Sequence, residues 1–539
     1  MRYQNPVIPG FHPDPSITKK GEDFYLVTST FEYFPGVPVF HSRNLVNWEQ
    51  VGWCLSNERQ LNLRGVEASK GIYAPTIRYH DGMFYMITTV TDQFGGRKNI
   101  IVRTEDPAKT WSDPAVVDWQ GIDPSLFFDD DGKCYYTGTG SLDGKRIMAC
   151  FEIDPVTGER LGPVHDLGPG CGGPAPEAPH LFKKDGWYYY ILAEGGTEYG
   201  HMETVHRSKT VFGPYESAPN NPILCHVNRK GYEIQGTGHA DFIEDRNGNW
   251  WALFLAFRNY SKAWLHNIGR ETFLMPVYWS EDGWPMIGKN GHADLEVDAD
   301  LPGEVKVPDH NFHADFKQKD LDLRFFHTRN PYPEDYVHDP YAGTVTLIGH
   351  GVSLETNEDS PTMLNVVQPA FETAFSVTFD LNGTNAEKAG ITAYLSNDYH
   401  YDLYLSDESG QTDIVFAKAV HDIKAEFRRI PLCSLFRSYS AGSPAARFGD
   451  ADRLRLRDDG GRDELPGKET LTLLIRTDRK GYSFYVRKGN EEVFIGFGSN
   501  AGLSTEQTMT RTFTGTIFSA FCIGGAARLL SFDVDVLES

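Results

Sequence analysis

Three carboxylic acids stand in related local sequence: Asp14-Pro15-Ser16-Ile17, Asp123-Pro124-Ser125-Leu126 and Glu177-Ala178-Pro179-His180. Each is followed by a proline within two residues and then by a short apolar run. Paired, separated carboxyls are what cleavage of a glycosidic bond requires. One protonates the leaving oxygen while the other activates a water on the opposite face of the sugar ring. Other chemistries lack their residues, since the chain has no GxSxG elbow, HExxH zinc helix or P-loop. Asp129-Asp130-Asp131-Gly132 begins like a calcium loop, but Gly140 falls at the twelfth position, where a Glu is required. It reads as a hairpin turn.

The acids belong to a repeat. Tyr73-Ala74-Pro75-Thr76-Ile77 and His239-Ala240-Asp241-Phe242-Ile243 share the layout, making five units led by Asp14, Tyr73, Asp123, Glu177 and His239. The leading residues are spaced by 59, 50, 54 and 62. Each apolar run reaches a turn and then an aromatic strand, such as Phe84-Tyr85-Met86-Ile87 or Trp187-Tyr188-Tyr189-Tyr190. Four of the turns carry Asp-Gly or Asn-Gly, the strongest short-range hairpin signal. The fold class expected is all-β, with a five-bladed β-propeller over residues 1–295.

A propeller gives the five leading residues a shared meaning. Each is expected to open the innermost strand of its blade and point to the central axis at one mouth. Blades three and four are neighbours, so Asp123 and Glu177 should sit side by side, with Asp14 across the funnel. An ionised Asp123 would raise the Glu177 pKa and keep it protonated as the acid. Asp14, standing apart, can stay ionised as the base. That placement favours the wider carboxyl separation, roughly 6.5–9.5 Å, which leaves room for water and inverts the anomeric centre. His239 is expected to face the axial channel as a hydrogen-bonded histidine.

After Trp284-Pro285 the repeat stops. Residues 296–311 read as a linker, and 312–539 as a β-sandwich of jelly-roll type, with strands such as Thr470-Leu471-Thr472-Leu473-Leu474-Ile475. Residues 424–468 are charged and Gly-containing, and are expected to include a long surface insertion.

Composition bounds the partners. The formal net charge of −23 argues against nucleic acid and anionic membranes. The 34 Phe, 26 Tyr and 10 Trp suit both many short strands and a surface that stacks on sugar rings. Seven scattered cysteines without a CxxC pair read as reduced thiols, with no metal site among them. With no signal-peptide pattern and no membrane span, a cytoplasmic location is expected.

Several stretches together carry a resemblance to glycoside hydrolase family 43, most closely to its two-domain β-xylosidases and α-L-arabinofuranosidases. They are Asn5-Pro6-Val7, Pro13-Asp14-Pro15-Ser16, Ser29-Thr30-Phe31-Glu32-Tyr33-Phe34-Pro35-Gly36, Tyr73-Ala74-Pro75-Thr76-Ile77-Arg78, Ile122-Asp123-Pro124-Ser125, Glu177-Ala178-Pro179-His180 and Gly269-Arg270-Glu271-Thr272-Phe273. The resemblance implies Asp14 as general base, Glu177 as general acid and Asp123 as the residue that tunes the acid. It implies that Arg270 binds sugar hydroxyls and that Phe31 and Tyr73 wall the pocket, Tyr73 standing where relatives often carry Trp. It further implies a second domain that lends a loop to close the pocket, and Thr512-Phe513-Thr514-Gly515-Thr516 is the candidate, with Phe513 as the contact. Some members hold a calcium ion or water near the equivalent of His239; no cofactor is expected to be required. Relatives commonly form dimers or tetramers, so a homo-oligomer is expected.

The expected activity is thus an inverting, exo-acting glycoside hydrolase that releases terminal xylose from xylo-oligosaccharides. The alternatives are an α-L-arabinofuranosidase of the same fold and a carbohydrate-binding protein without catalysis. All three acids together argue against the last.

Overall fold

Two-residue turns set the first hairpins. Asp81-Gly82 and Asp185-Gly186 both take positive φ at each residue, which matches the right-handed twist of the strands they join. Gly21-Glu22 makes the first hairpin, with Gly21 at φ 64. The computed structural model describes residues 1–229, 231–260, 264–407, 410–436, 469–509 and 512–537.

Five antiparallel sheets follow one another along the first half, each meandering outward in chain order. Their first strands are Ser16–Lys20, Thr76–His80, Ser125–Phe128, Glu177–Lys184 and Ile234–Glu244. Each first strand lies beside that of the next sheet, and the fifth returns beside the first, so the five close into a ring. The strand Arg2–Gln4 pairs with Glu296–Asp298, and the next few residues bond to Thr272 of the fifth sheet. Glu296–Asp298 was expected to be linker. It is a strand, set antiparallel against the chain's first residues with Tyr3 opposite Val297.

One side chain touches every sheet of the ring. The Arg78 guanidinium, from the second sheet, donates to Ser16 Oγ at 3.1 Å and Ile17 O at 3.3 Å in the first, and to Leu126 O at 3.2 Å in the third. It lies 3.2 Å from His180 Nδ1 in the fourth and donates to Asp241 Oδ2 at 2.7 Å in the fifth. Asp241 is 4% exposed and also accepts from the Ser16 hydroxyl and the Ile17 amide.

The second half packs two antiparallel sheets around one apolar core. One has six strands, from Thr362–Val367 to Ile423–Pro431; the other has eight, with Gly525–Val536 at its middle. In the charged stretch 424–468, residues up to 431 belong to the strand Ile423–Pro431, and Leu432–Leu435 form one helical turn. Residues 437–468 lie outside the described residues. It is the edge strand of its sheet, and its charged residues, Lys424, Glu426, Arg428 and Arg429, gave it the look of a surface insertion.

The halves are stitched together. Tyr33–Phe34, just past Phe31, pairs with His327–Thr328, and a shared aromatic cluster joins Phe11, Phe31 and Tyr33 to Tyr394, Tyr404 and Phe521.

Arg78→Met keeps the side-chain length but leaves Asp241 buried without its cation. It is expected to destabilise the chain by about 3–5 kcal/mol in urea unfolding, with Arg78→Met/Asp241→Asn recovering part of the loss.

Candidate active site

The residues at the ring's mouth share an unusual backbone. Asp14, Asp123, Ala178 and His239 have φ of 55, 55, 54 and 54°. Such left-handed values are uncommon outside glycine and cluster at functional sites. They also correct the repeat alignment. In the fourth unit the left-handed residue is Ala178, so Glu177 leads its strand by one residue and is not the positional equivalent of Asp14 and Asp123. Tyr73 is likewise one residue early, preceding Ala74-Pro75. Pro15, Pro75, Pro124 and Pro179 were the markers of the true register. His239 does not open its strand; it sits inside Ile234–Glu244, at a bulge between Gly238 and Asp241.

Asp14 is 4% exposed. It accepts from Arg270 Nη1 at 3.0 Å and from the Ser29 hydroxyl, and lies 3.5 Å from His239 Nδ1. Burial alone would raise its pKa, but Arg270, His239 and Ser29 together outweigh burial and hold the carboxyl below its ordinary value. Asp14 is therefore ionised.

Asp123 and Glu177 form a pair, and with His239 their ligating atoms all lie within 4.8 Å of one another. Asp123 is pushed well above the usual carboxylate range by burial, then by the charges of Glu177 and Asp14. Glu177 is the nearest charge that opposes ionisation of Asp123, so the two carboxyls do not both ionise. The two carboxyls titrate together, and the pair holds a proton. His201, 1% exposed, lies 3.9 Å from Glu177 Oε1, and burial lowers its pKa to about 3, so it is neutral.

The aromatic residues converge. Phe31 stacks on Phe513 at 5.6 Å and lies 5.7 Å from Tyr73, while the Arg270 guanidinium sits 5.6 Å from the Phe31 ring centre and 5.7 Å from that of Phe513. Arg270 Nη2 donates to the Phe513 carbonyl at 3.1 Å, and Phe513 N donates to Ser69 Oγ at 2.9 Å. The second domain thus supplies part of the site. The approach depends on two glycines: a Cβ on Gly515 would lie 1.8 Å from Ile268 O, and one on Gly269 2.7 Å from Gly515 Cα. Next door, Glu506 accepts from Tyr199 at 2.9 Å and from the His266 amide at 3.1 Å, anchoring this part of the second domain to loops of the fourth and fifth sheets.

All eight residues singled out from the sequence therefore gather at one place. Others were missed. Thr197, which accepts from Arg270 Nη1 at 2.8 Å, follows Gly195-Gly196, a cue for a close-lying loop. Ser29 and Arg78 lay inside recognised motifs without being assigned. His201 carries no sequence signal.

The family model for glycosyl hydrolases family 43 matches residues 3–285, and one for a beta xylosidase C-terminal concanavalin A-like domain matches residues 313–434. A non-reducing end alpha-L-arabinofuranosidase of Bacteroides ovatus is 35% identical over 99% of this chain and 94% of its own length. A xylosidase/arabinosidase of Butyrivibrio fibrisolvens is 41% identical over 74% of this chain and 79% of its own. Among solved structures, a xylan beta-1,4-xylosidase of Bacillus halodurans superposes with a TM-score of 0.85 at 28% identity, covering 99% of each chain. The B. ovatus xyloglucan-locus protein does so at 0.86 and 34%, over the whole of both chains. The chain belongs to glycosyl hydrolases family 43 and is a glycoside hydrolase.

Gly515→Ala is expected to force Phe513 away from Arg270. Glycosidase kcat/KM should fall by about 10²-fold, the scale of a misplacement near 1 Å, while the far-ultraviolet circular dichroism stays unchanged.

Proposed function

We propose that the chain is an inverting, exo-acting β-xylosidase. The observation that carries this reading is the division of the site's carboxyls into an ionised Asp14, bound by Arg270 and Ser29, and a proton-holding pair, Asp123 and Glu177. Asp14 takes a proton from the attacking water. Glu177, the more accessible of the pair, gives its proton to the leaving oxygen, and Asp123 keeps that proton available by opposing a second charge. His239 stands between the two functions, near Asp14 and near the pair. Arg270 meets sugar hydroxyls, and Phe31, Tyr73 and Phe513 wall the terminal ring. A pocket closed by a second-domain loop accepts only a chain end.

The ring of five sheets is, in this reading, a five-bladed β-propeller over residues 1–295, joined through 296–311 to a jelly-roll-like sandwich over 312–539. Closure of the first strands supports the former. The latter is supported by Gly525–Val536 lying between Thr344–Gly349 and Thr373–Asp380. The seven cysteines are all free thiols, which suits a cytoplasmic enzyme working on short oligosaccharides. Exposed Ile423, Phe427, Phe494 and Phe497 on the sandwich are the surface we assign to a homo-oligomer contact.

No calcium is assigned at the axis. The place below His239 is taken by the Arg78 cation, and Asp241 gives both its oxygens to that guanidinium. One imidazole and a carboxyl pair do not make the six to eight oxygens that calcium takes. Dialysis against EDTA is accordingly expected to leave the rate unchanged.

α-L-Arabinofuranosidase action is the second reading, favoured by the B. ovatus relative that matches nearly the whole chain. Hydrolysis of xylobiose and of an aryl α-L-arabinofuranoside separates the two, with the first-released anomer followed by NMR. The β-xylosidase reading expects α-xylose from xylobiose. Asp14→Ala and Glu177→Ala should each cost about 10²–10⁴-fold, the Glu177 loss being smaller on aryl glycosides, whose leaving group needs little protonation. Release of β-xylose, or full activity in either variant, would contradict the mechanism; cleavage of the arabinoside alone would transfer the assignment.

A further inference from the structure

The six-stranded sheet of the second domain has an unassigned cleft of about 220 Å³ on its outer face. Along the strand Tyr399–Ser406, Tyr401, Leu403 and Leu405 enter the core, while His400, Asp402 and Tyr404 alternate onto the outer face. Across the next strand, Ala419 stands opposite His400 and Ala417 opposite Asp402, giving the cleft a small-residue floor. One strand further, Lys424 and Glu426 face those alanines and form the rim. The cleft adjoins the aromatic seam between the two domains through Tyr404 and Phe521.

His400 is the unusual group. It is 2% exposed, its Nδ1 lies 2.9 Å from both oxygens of Asp402, and Tyr394 stacks on its ring at 5.7 Å. Burial works against its charge, but Asp402 more than compensates, and the pKa rises. Six other buried histidines, His12, His180, His201, His206, His226 and His327, go the other way and are neutral. In the charged form, which Asp402 favours, the imidazole has two N–H donors. Asp402 takes one; Nε2 has no partner among the described residues. Buried donors are almost always satisfied, so an orphan at a cleft points to an acceptor oxygen from outside.

Two of the other charges around the cleft, Glu426 and Lys424, already have partners. Glu426 accepts from Arg429 at 2.8 and 3.0 Å and from the Tyr404 hydroxyl at 3.2 Å. Lys424 lies 3.5 Å from Asp398, and Lys388 lies 5.5 Å from the Tyr404 ring centre. An ion would disturb these pairs. A neutral polyol both accepts from His400 and Lys424 and donates to Asp402 and Glu426. The volume is below the roughly 300–1,000 Å³ of pockets for larger ligands and suits a single sugar ring.

We propose that this cleft is a second, non-catalytic binding site for one neutral sugar unit of the oligosaccharide substrate, with a hydroxyl oxygen accepting from His400 Nε2. The proposal rests on the glycosidase reading for the identity of the sugar, and adds a contact on residues other than those that surround Asp14 and Glu177. It serves to retain the chain between cuts.

The test uses the full chain carrying Glu177→Gln, with ¹⁵N-labelled histidine, titrated with xylotetraose by calorimetry and NMR. Two binding events are expected, together with a shift of the His400 Nε2 resonance. Adding His400→Gln should abolish one event, while in the otherwise unsubstituted enzyme it should leave kcat/KM for an aryl xyloside within about twofold. Should His400→Gln not fold, Lys424→Ala on the rim is expected to weaken the same event about tenfold, which is 1.4 kcal/mol. A single event untouched by either substitution, with an unmoved His400 resonance, overturns the cleft while the glycosidase stands. A His400 shift in a chain that hydrolyses no xyloside supports the cleft and overturns the proposed activity instead.

Discussion

At the centre of the ring, groups from all five innermost strands converge on the Arg78 guanidinium. Its planar fork of donors is the only side chain that can address several acceptors at fixed angles. In this ring the acceptors are hydroxyls and carbonyls from neighbouring strands and both oxygens of Asp241. The charge pair is worth little as attraction alone, since both ions give up hydration. Its value is geometric: it sets the phase of five sheets relative to one another. Asp14, Asp123 and His239 are each within two residues of a strand that Arg78 contacts, so the mouth of the ring inherits its geometry from the axis.

The same crowding tunes the acids. Asp14 and Asp123 are both buried, and burial alone would push both carboxyls up. What separates them is company. Asp14 has a guanidinium, an imidazole and a hydroxyl, whereas Asp123 has another carboxyl. Two groups of like chemistry a short distance apart are pushed in opposite directions because one faces a cation and the other an acid. His201 contributes by staying neutral, adding bulk beside Glu177 without a charge that would draw its proton away.

Much of this was legible in the chain. Four of the five hairpins announced themselves through Asp-Gly and Asn-Gly turns, and the acids through their position before the hairpins. The exact register was less visible. Tyr73 and Glu177 look equivalent to Asp14 because side-chain chemistry catches the eye, whereas the backbone follows the prolines, which place Ala74 and Ala178 at the matching positions. Phe513 could be named only through resemblance, since nothing local distinguishes it from a core phenylalanine. Its role comes from Gly269 and Gly515, some 250 residues apart in sequence, meeting without side chains between them. His201 and His400 were illegible for a related reason: their roles are set by partners on other strands.

The seam between the halves has a consequence for synthesis. Asp14, Asp123 and Glu177 leave the ribosome early, and the ring can close once Glu296–Asp298 has emerged to meet Arg2–Gln4. Yet the carbonyl that fixes Arg270 and the ring that covers Phe31 both belong to residue 513. At about 5–20 residues per second, the interval between the two events is roughly 10–45 s. Until then the nascent chain lacks the carbonyl that holds Arg270 and the ring that stacks on Phe31, so this wall of the site is the last part of it to be made.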